Sequence, residues 1–365
     1  DTLKLDKEGI KPLAAYFASI KAIKTNDDLI NTLAKFHAQG IDAIFGFRVE
    51  PDLKNSMQNA EYFSQSGISL PDKAYYSDEK YAGIREEYKK HLKNIFVDLD
   101  YTPELAEKNA ELVFRIESDL ASKSMGGVEL RNIELQYNLF TKESFHAKYP
   151  NVNLDLYLKT AGIIHPLHDF IVNQPLFFEN VNQLLVKYTI AEWQVYLNWK
   201  LINTAASALG SKFEKDHFAF FTTVLNGVKV HKPRWKDGIK MVDYGLGDAL
   251  GQIFVDKHFN ATAKVRVNTM VDNLTAAYKQ RINGSEWMSA ETKLKANEKL
   301  SKFTRKLGFP EYWKDYTSLE IKNDALVLNL FRVSKFKFLK MIDDIGKPVD
   351  RTRWEMSPPT VNAYY

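Results

Sequence analysis

Apolar residues recur at helical spacing along most of this chain, and that periodicity limits the possible folds more than any other feature. Thr102-Pro103-Glu104 reads as an N-cap followed by proline at the first helical position, where a missing N–H is tolerated. Leu105, Leu112, Val113, Ile116 and Leu120 then fall near one face at a 3.6-residue period, and Gly126-Gly127 closes the segment. Ile190, Trp193, Leu197 and Leu201 form a second stripe. A third runs through Val267, Met270, Val271, Leu274, Tyr278 and Ile282 and stops at Asn283-Gly284. Thr292 to Leu307 is rich in Lys, Glu, Leu and Ala and ends at Gly308-Phe309-Pro310. Strand signals are sparse. Ile41 to Val49 fits a strand or a loop, Ala325 to Val333 is too short an apolar run to assign, and Thr360 to Tyr365 is β-prone after Pro358-Pro359. The expected fold class is mainly α, a large multi-helix lobe with a short β segment at the C-terminus.

With 365 residues, 45% of them hydrophobic and 26% charged, the chain can bury one large core or two modest ones. No Ser/Gly linker, low-complexity tract or fixed-period repeat interrupts it, and the stretch from Gly346 to Pro359 is the best candidate boundary. The expected organisation is therefore a helical lobe over 1–345 and a linker with a first strand over 346–365. A net charge of +4 from 50 basic and 46 acidic residues gives no support for a nucleic-acid partner or a membrane surface. Cysteine is absent, which excludes disulfides, thiolate metal sites and a cysteine nucleophile within the chain. Asp1 to Lys11 is polar and unlike a signal peptide, and no apolar run approaches the ~20 residues of a membrane span.

Zinc hydrolases place two imidazoles on one helical face with a carboxylate between them, as His-Glu-x-x-His. None of the eight histidines has that arrangement; the closest spacing, His165-Pro166-Leu167-His168, is broken by proline and lacks the glutamate. No metal site is expected within the chain. Gly245-Leu246-Gly247-Asp248-Ala249-Leu250-Gly251 departs from the dinucleotide fingerprint, with neither a preceding β run nor a following Lys-Ser/Thr. Small residues that let another helix come close explain it better. Asn260-Ala261-Thr262, Asn273-Leu274-Thr275 and Asn283-Gly284-Ser285 match the glycosylation sequon at a frequency chance explains. Read residue by residue, the chain is helical and holds no self-contained catalytic constellation.

A series of motifs supplies what chemistry does not. Phe45-Gly46-Phe47-Arg48-Val49-Glu50-Pro51-Asp52 precedes Asn55-Ser56 and then Gln65-Ser66-Gly67-Ile68-Ser69-Leu70-Pro71-Asp72-Lys73-Ala74-Tyr75-Tyr76. Pro233-Arg234-Trp235-Lys236, Gly247 to Gly251, Trp287-Met288, Glu291-Thr292, Ala296 and Glu298-Lys299-Leu300 follow in order. Gly308-Phe309-Pro310 with Trp313, Val349-Asp350-Arg351, Trp354-Glu355-Met356 and finally Val361-Asn362-Ala363-Tyr364-Tyr365 complete the set. Together these resemble the neprilysin and endothelin-converting-enzyme family of zinc metallopeptidases over almost the whole chain. Ile68 and Lys73 replace the family's usual Leu and Arg. Asp237-Gly238 stands where animal members commonly carry a cysteine, which fits a bacterial member.

The resemblance implies a two-lobed enzyme in which a helical cap limits access to a thermolysin-like lobe carrying zinc. It implies zinc-dependent endopeptidase action on peptides and small polypeptides, with the zinc motif beyond this sequence and this chain inactive alone. It implies that Asn362, Ala363 and Tyr364 bind substrate: the Asn362 amide can both donate to and accept from a peptide backbone, and small Ala363 lets that backbone approach. A buried strand without that role is the competing reading of the same residues. The implied partners are peptide substrates and the enzyme's own catalytic lobe. The implied location is periplasmic or extracellular, with room for an upstream anchor, and cytoplasmic is the alternative. A non-catalytic peptide- or protein-binding homologue is the second hypothesis; a stand-alone helical scaffold leaves the Asn-Ala-Tyr-Tyr ending unexplained.

Overall fold

In a computed structural model that describes residues 2–164 and 169–364, helices dominate and strands are few. The chain opens with α1 (Thr2–Glu8), α2 (Ala14–Lys21) and α3 (Asn26–Ala38), followed by the hairpin β1 (Phe45–Pro51) and β2 (Asn59–Gln65). Then come α4 (Ala74–Ser77), α5 (Ala82–Asp98), α6 (Pro103–Ser122), β3 (Leu139–Thr141), α7 (Lys142–Lys148), α8 (Leu154–Ala161) and β4 (Asp169–Val172). Helices α9 (Pro175–Lys187), α10 (Ile190–Ala205), α11 (Ser211–His217), α12 (Arg234–His258), α13 (Ala261–Gly284), α14 (Ala290–Ser301) and α15 (Leu326–Ile342) complete the order.

These helices start where local chemistry satisfies their first N–H groups. The Thr102 hydroxyl accepts from Leu105 N–H ahead of Pro103, and Thr25 and Thr189 make full capping boxes with Asp28 and Glu192. Of the Ile41–Val49 run, read as strand or loop, Phe45–Val49 opens β1 and the rest leads into it, and the unassigned Ala325–Val333 run becomes the start of α15. The sheet has the order β1-β2-β4-β3, with β1 antiparallel to β2 from Phe45↔Gln65 to Pro51↔Asn59, β2 parallel to β4, and β3 antiparallel to β4. The described residues of the expected C-terminal β segment, Val361 to Tyr364, form no strand. A strand exists by pairing its backbone with a neighbour, and none of the sheet's strands pairs with this segment.

The chain divides into two compact units. Unit 1 comprises residues 1–231 and 319–349 and holds nearly all of the core. Its centre is aromatic: Phe45, Phe63, Phe145, Tyr157, Phe170 and Phe178 pack in edge and tilted contacts around the sheet. Unit 2 comprises residues 232–318 and 350–365 and contains α12 to α14. The chain crosses between the units three times; the crossing at 349/350 falls within the Gly346–Pro359 stretch that composition marks, while those at 231/232 and 318/319 bring together residues far apart in the chain.

Candidate functional site

In unit 1 the Gln65–Tyr76 motif surrounds a carboxyl group. Glu117 on α6 is fully buried, and its Oε1 accepts from Ser69 Oγ at 2.6 Å and Trp199 Nε1 at 3.1 Å. Its Oε2 accepts from the Tyr76 and Tyr88 hydroxyls, each at 2.7 Å. Burial first, and the Glu117 charge second, push both phenols well above their ordinary range. Lys200, also buried, donates to Ser69 Oγ at 3.3 Å, and desolvation lowers its affinity for a proton. Sequence reading missed Glu117. The available signal was its position between Val113 and Leu120, on the apolar face of α6.

Gly67 shows why this motif needs glycine. Its φ is +88°, and a Cβ there would lie 2.7 Å from Ile44 N and 2.8 Å from the Tyr196 hydroxyl oxygen. That hydroxyl donates to Gly67 O at 2.7 Å and accepts from Ile44 N–H at 3.1 Å. It thereby fastens Ile44, a β-branched residue held at φ +59°. The motif is thus a hydrogen-bonded joint of the helical unit.

The substrate-binding candidates belong to unit 2. Ser357 Oγ donates to Asp243 Oδ1 on α12 at 2.6 Å, and Thr360 N–H returns to Ser357 O at 3.0 Å. Pro358 lies over Gly251, where a Cβ would come within 2.6 Å of its Cδ and 3.3 Å of Trp313. A Cβ on Gly247 would approach Ser357 Cβ at 3.2 Å. Close approach at these glycines was expected from the sequence, but the approaching segment is Ser357-Pro358 and not a helix. Leu246, just before Gly247, kinks α12, and Asp248 accepts from Lys314 N–H at 3.0 Å.

Beyond that anchor, Val361, Asn362, Ala363 and Tyr364 are all exposed. The Asn362 side-chain oxygen accepts from Ala363 N–H at 2.8 Å, and Tyr364 OH accepts from Glu355 N–H at 3.3 Å. Tyr364 and Asn362 are therefore presented from a segment fixed at Ser357 and Pro358, with their outer surfaces open. The His165/His168 pair lies outside the described residues. Among the described residues no group of three or more His, Asp and Glu side chains converges as a metal ion requires, so they do not fit a zinc centre. Among them, too, no helix is long and apolar enough to cross a membrane.

The family model described as peptidase family M13, for its N-terminal part, matches residues 1–310. The chain belongs to peptidase family M13. The expected kinship with neprilysin-like and endothelin-converting enzymes holds within this family. The chain is 26% identical over 340 residues to an endothelin-converting enzyme homolog of Locusta migratoria, covering 88% of this chain and 47% of that protein. It is 27% identical over 356 residues to the neutral endopeptidase of Lactococcus lactis subsp. lactis, covering 95% and 56%. The structure of the Mycobacterium tuberculosis zinc metalloprotease Zmp1 in complex with inhibitor matches all of this chain and 55% of its own, with a TM-score of 0.93 at 31% identity. The chain thus spans about half the length of the M13 relatives it matches, and it shares its mainly helical architecture with the Zmp1 structure.

Proposed function

We propose that this chain is the helical portion of a zinc-dependent M13 endopeptidase, acting on peptides and small polypeptides outside the cytoplasm. Unit 1 walls the reaction chamber, and Asn362, Ala363 and Tyr364 hold an extended peptide by its backbone. The observation that carries this reading is the exposed Val361–Tyr364 segment on a rigid anchor, Ser357 to Asp243 and Pro358 over Gly251. An extended peptide pairs with such a segment through main-chain hydrogen bonds, while a small residue at 363 leaves it room. The Asn362 oxygen exchanges its bond to Ala363 N–H for a substrate N–H, and its NH2 donates to a substrate carbonyl. Zinc supplies Lewis-acid chemistry in such enzymes, and its ligands are proposed to come from outside the described residues.

The test compares three zinc-loaded samples on a quenched fluorescent peptide: the intact enzyme, its Asn362→Ala variant and the 365-residue chain. The variant is expected to lose on the order of 1–3 kcal/mol of transition-state binding in kcat/KM, the cost of an unmade buried hydrogen bond. The 365-residue chain is expected to show no chelator-sensitive turnover. Unchanged kinetics in a folded Asn362→Ala enzyme removes the substrate role from Asn362, and turnover by the chain alone removes the division of labour.

A further inference from the structure

Residues 354–364 carry the proposed substrate segment, and a single polar contact holds them to the rest of unit 2. Among the described residues, Ser357 Oγ to Asp243 Oδ1 at 2.6 Å is their only hydrogen bond to another part of the chain. The others stay within the segment: Thr360 N–H to Ser357 O at 3.0 Å, Asn362 N–H to Thr360 O at 3.2 Å, Ala363 N–H to the Asn362 side chain and Glu355 N–H to Tyr364 OH.

One bond can aim a segment only if the chain beyond it is stiff, and the sequence makes it so. Pro358-Pro359 fixes two successive φ angles near −65°, and the residue before a proline is held toward extended backbone, which restricts Ser357 and Pro358 as well. Thr360 then returns to Ser357 twice, through its N–H to the carbonyl and through a hydroxyl contact to Ser357 Oγ at 3.0 Å. Chemistry fixes the donor order. A carboxylate only accepts, so the Ser357 O–H points at Asp243 and the Thr360 hydroxyl is the donor to Ser357. Residues 357–360 therefore move as one piece, and the direction of 361–364 follows the orientation of Ser357.

The apolar seat does not set that orientation. Pro358 and the Trp313 ring both border Gly251, and Trp313 lies parallel to Phe309, whose carbonyl accepts from Lys264 Nζ on α13 at 2.8 Å. Apolar contact is non-directional, so it keeps Pro358 in place without fixing its rotation. A hydrogen bond is directional, and Asp243 supplies it from the same helix, four residues before Gly247 and eight before Gly251.

We infer that Asp243 is a positioning residue for peptide hydrolysis: through Ser357 it aims residues 361–364, so that substrate meets Asn362 and Ala363 already in place. The inference rests on the reading of Asn362, Ala363 and Tyr364 as substrate-binding. Without the tether the segment samples several directions, only a fraction of molecules is competent, and apparent affinity falls by that fraction. Bound peptide orders the segment again, so the loss falls on KM and spares kcat. A residue that served only the stability of unit 2 would produce no such split.

In the intact enzyme, Asp243→Ala and Ser357→Ala are each expected to raise KM for a quenched fluorescent peptide about tenfold, with kcat within about twofold of native. The double variant is expected to go no further than either alone, because both remove the same bond. Asp243→Asn keeps an accepting oxygen and is expected to restore the native KM. A native KM in folded Asp243→Ala, a loss confined to kcat, or additive losses in the double variant overturns the inference. A second readout is independent of turnover. The 365-residue chain has no cysteine, so Val361→Cys, at a fully exposed position, takes one nitroxide label. Its spectrum is expected to sharpen on Asp243→Ala and to stay broad with Asp243→Asn; an unchanged line shape in Asp243→Ala also overturns the inference. The substrate reading fails separately: native kinetics in Asn362→Ala, with the label freed by Asp243→Ala, refutes the role of Asn362 and upholds the tether.

Discussion

Tyr196 and Glu117 are single residues that each hold several segments together. The Tyr196 hydroxyl satisfies Ile44 N–H and Gly67 O, two backbone groups with no access to water. Tyr196→Phe leaves both unpaired and is expected to destabilise unit 1 by about 1–3 kcal/mol in denaturant unfolding, without a change in the m-value. A neutral result would mean that the backbone near Ile44 relaxes to find other partners. Neither residue was legible as special in the sequence. Tyr196 falls within an apolar helical stripe, and its hydroxyl has meaning only once Gly67 and Ile44 arrive beside it.

At the scale of elements, α12 shows how a local pattern acquires its role. The small residues from Gly245 to Gly251 predicted close packing, and the structure puts Ser357 and Pro358 in the space they leave. Gly251→Ala drives a methyl to within 2.6 Å of Pro358 Cδ and is expected to cost about 1–3 kcal/mol by overpacking. The strain appears where the contact is, so limited proteolysis within residues 353–364 should accelerate while unit 1 stays resistant. Unchanged cleavage there would show that Pro358 shifts freely. The same reasoning explains the tail: β-prone residues 361–364 specify an extended segment, but pairing depends on an edge that local sequence does not encode.

The whole molecule carries a pH dependence that composition alone could not suggest. His37, His91 and His217 in unit 1 all bind protons less readily than a free histidine, in each case chiefly through burial. His91 is pushed down to about 3; it lies against Phe220 and Trp199 with neither ring nitrogen partnered. His37 is fixed in one neutral tautomer, since its Nε2 donates to Ala43 O and its Nδ1 accepts from Tyr157 OH. For a histidine with a lowered folded value, the unfolded chain binds more protons below about pH 6.5. Stability is therefore complete above that pH and falls as the pH drops toward the folded value. Thermal unfolding of unit 1 is expected to weaken between pH 6.5 and 4, at up to about 1.4 kcal/mol per pH unit for each such histidine. His91→Leu should flatten that slope, and an unchanged slope would mean that other groups govern it.

The sequence by itself marked four helical segments, the Thr102 cap and the family. Each depends on residues within a few turns of one another or on motifs kept in linear order. It also located Asn362, Ala363 and Tyr364 as candidates through one such motif. Only the tertiary structure decided that residues 232–318 share a unit with 350–365, that Ser357-Pro358 fills the glycine seat on α12, and that Glu117 joins four side-chain donors. The physical reason is range. Periodicity and capping are written in neighbouring residues, whereas burial and hydrogen-bond satisfaction depend on groups that folding brings together from distant parts of the chain.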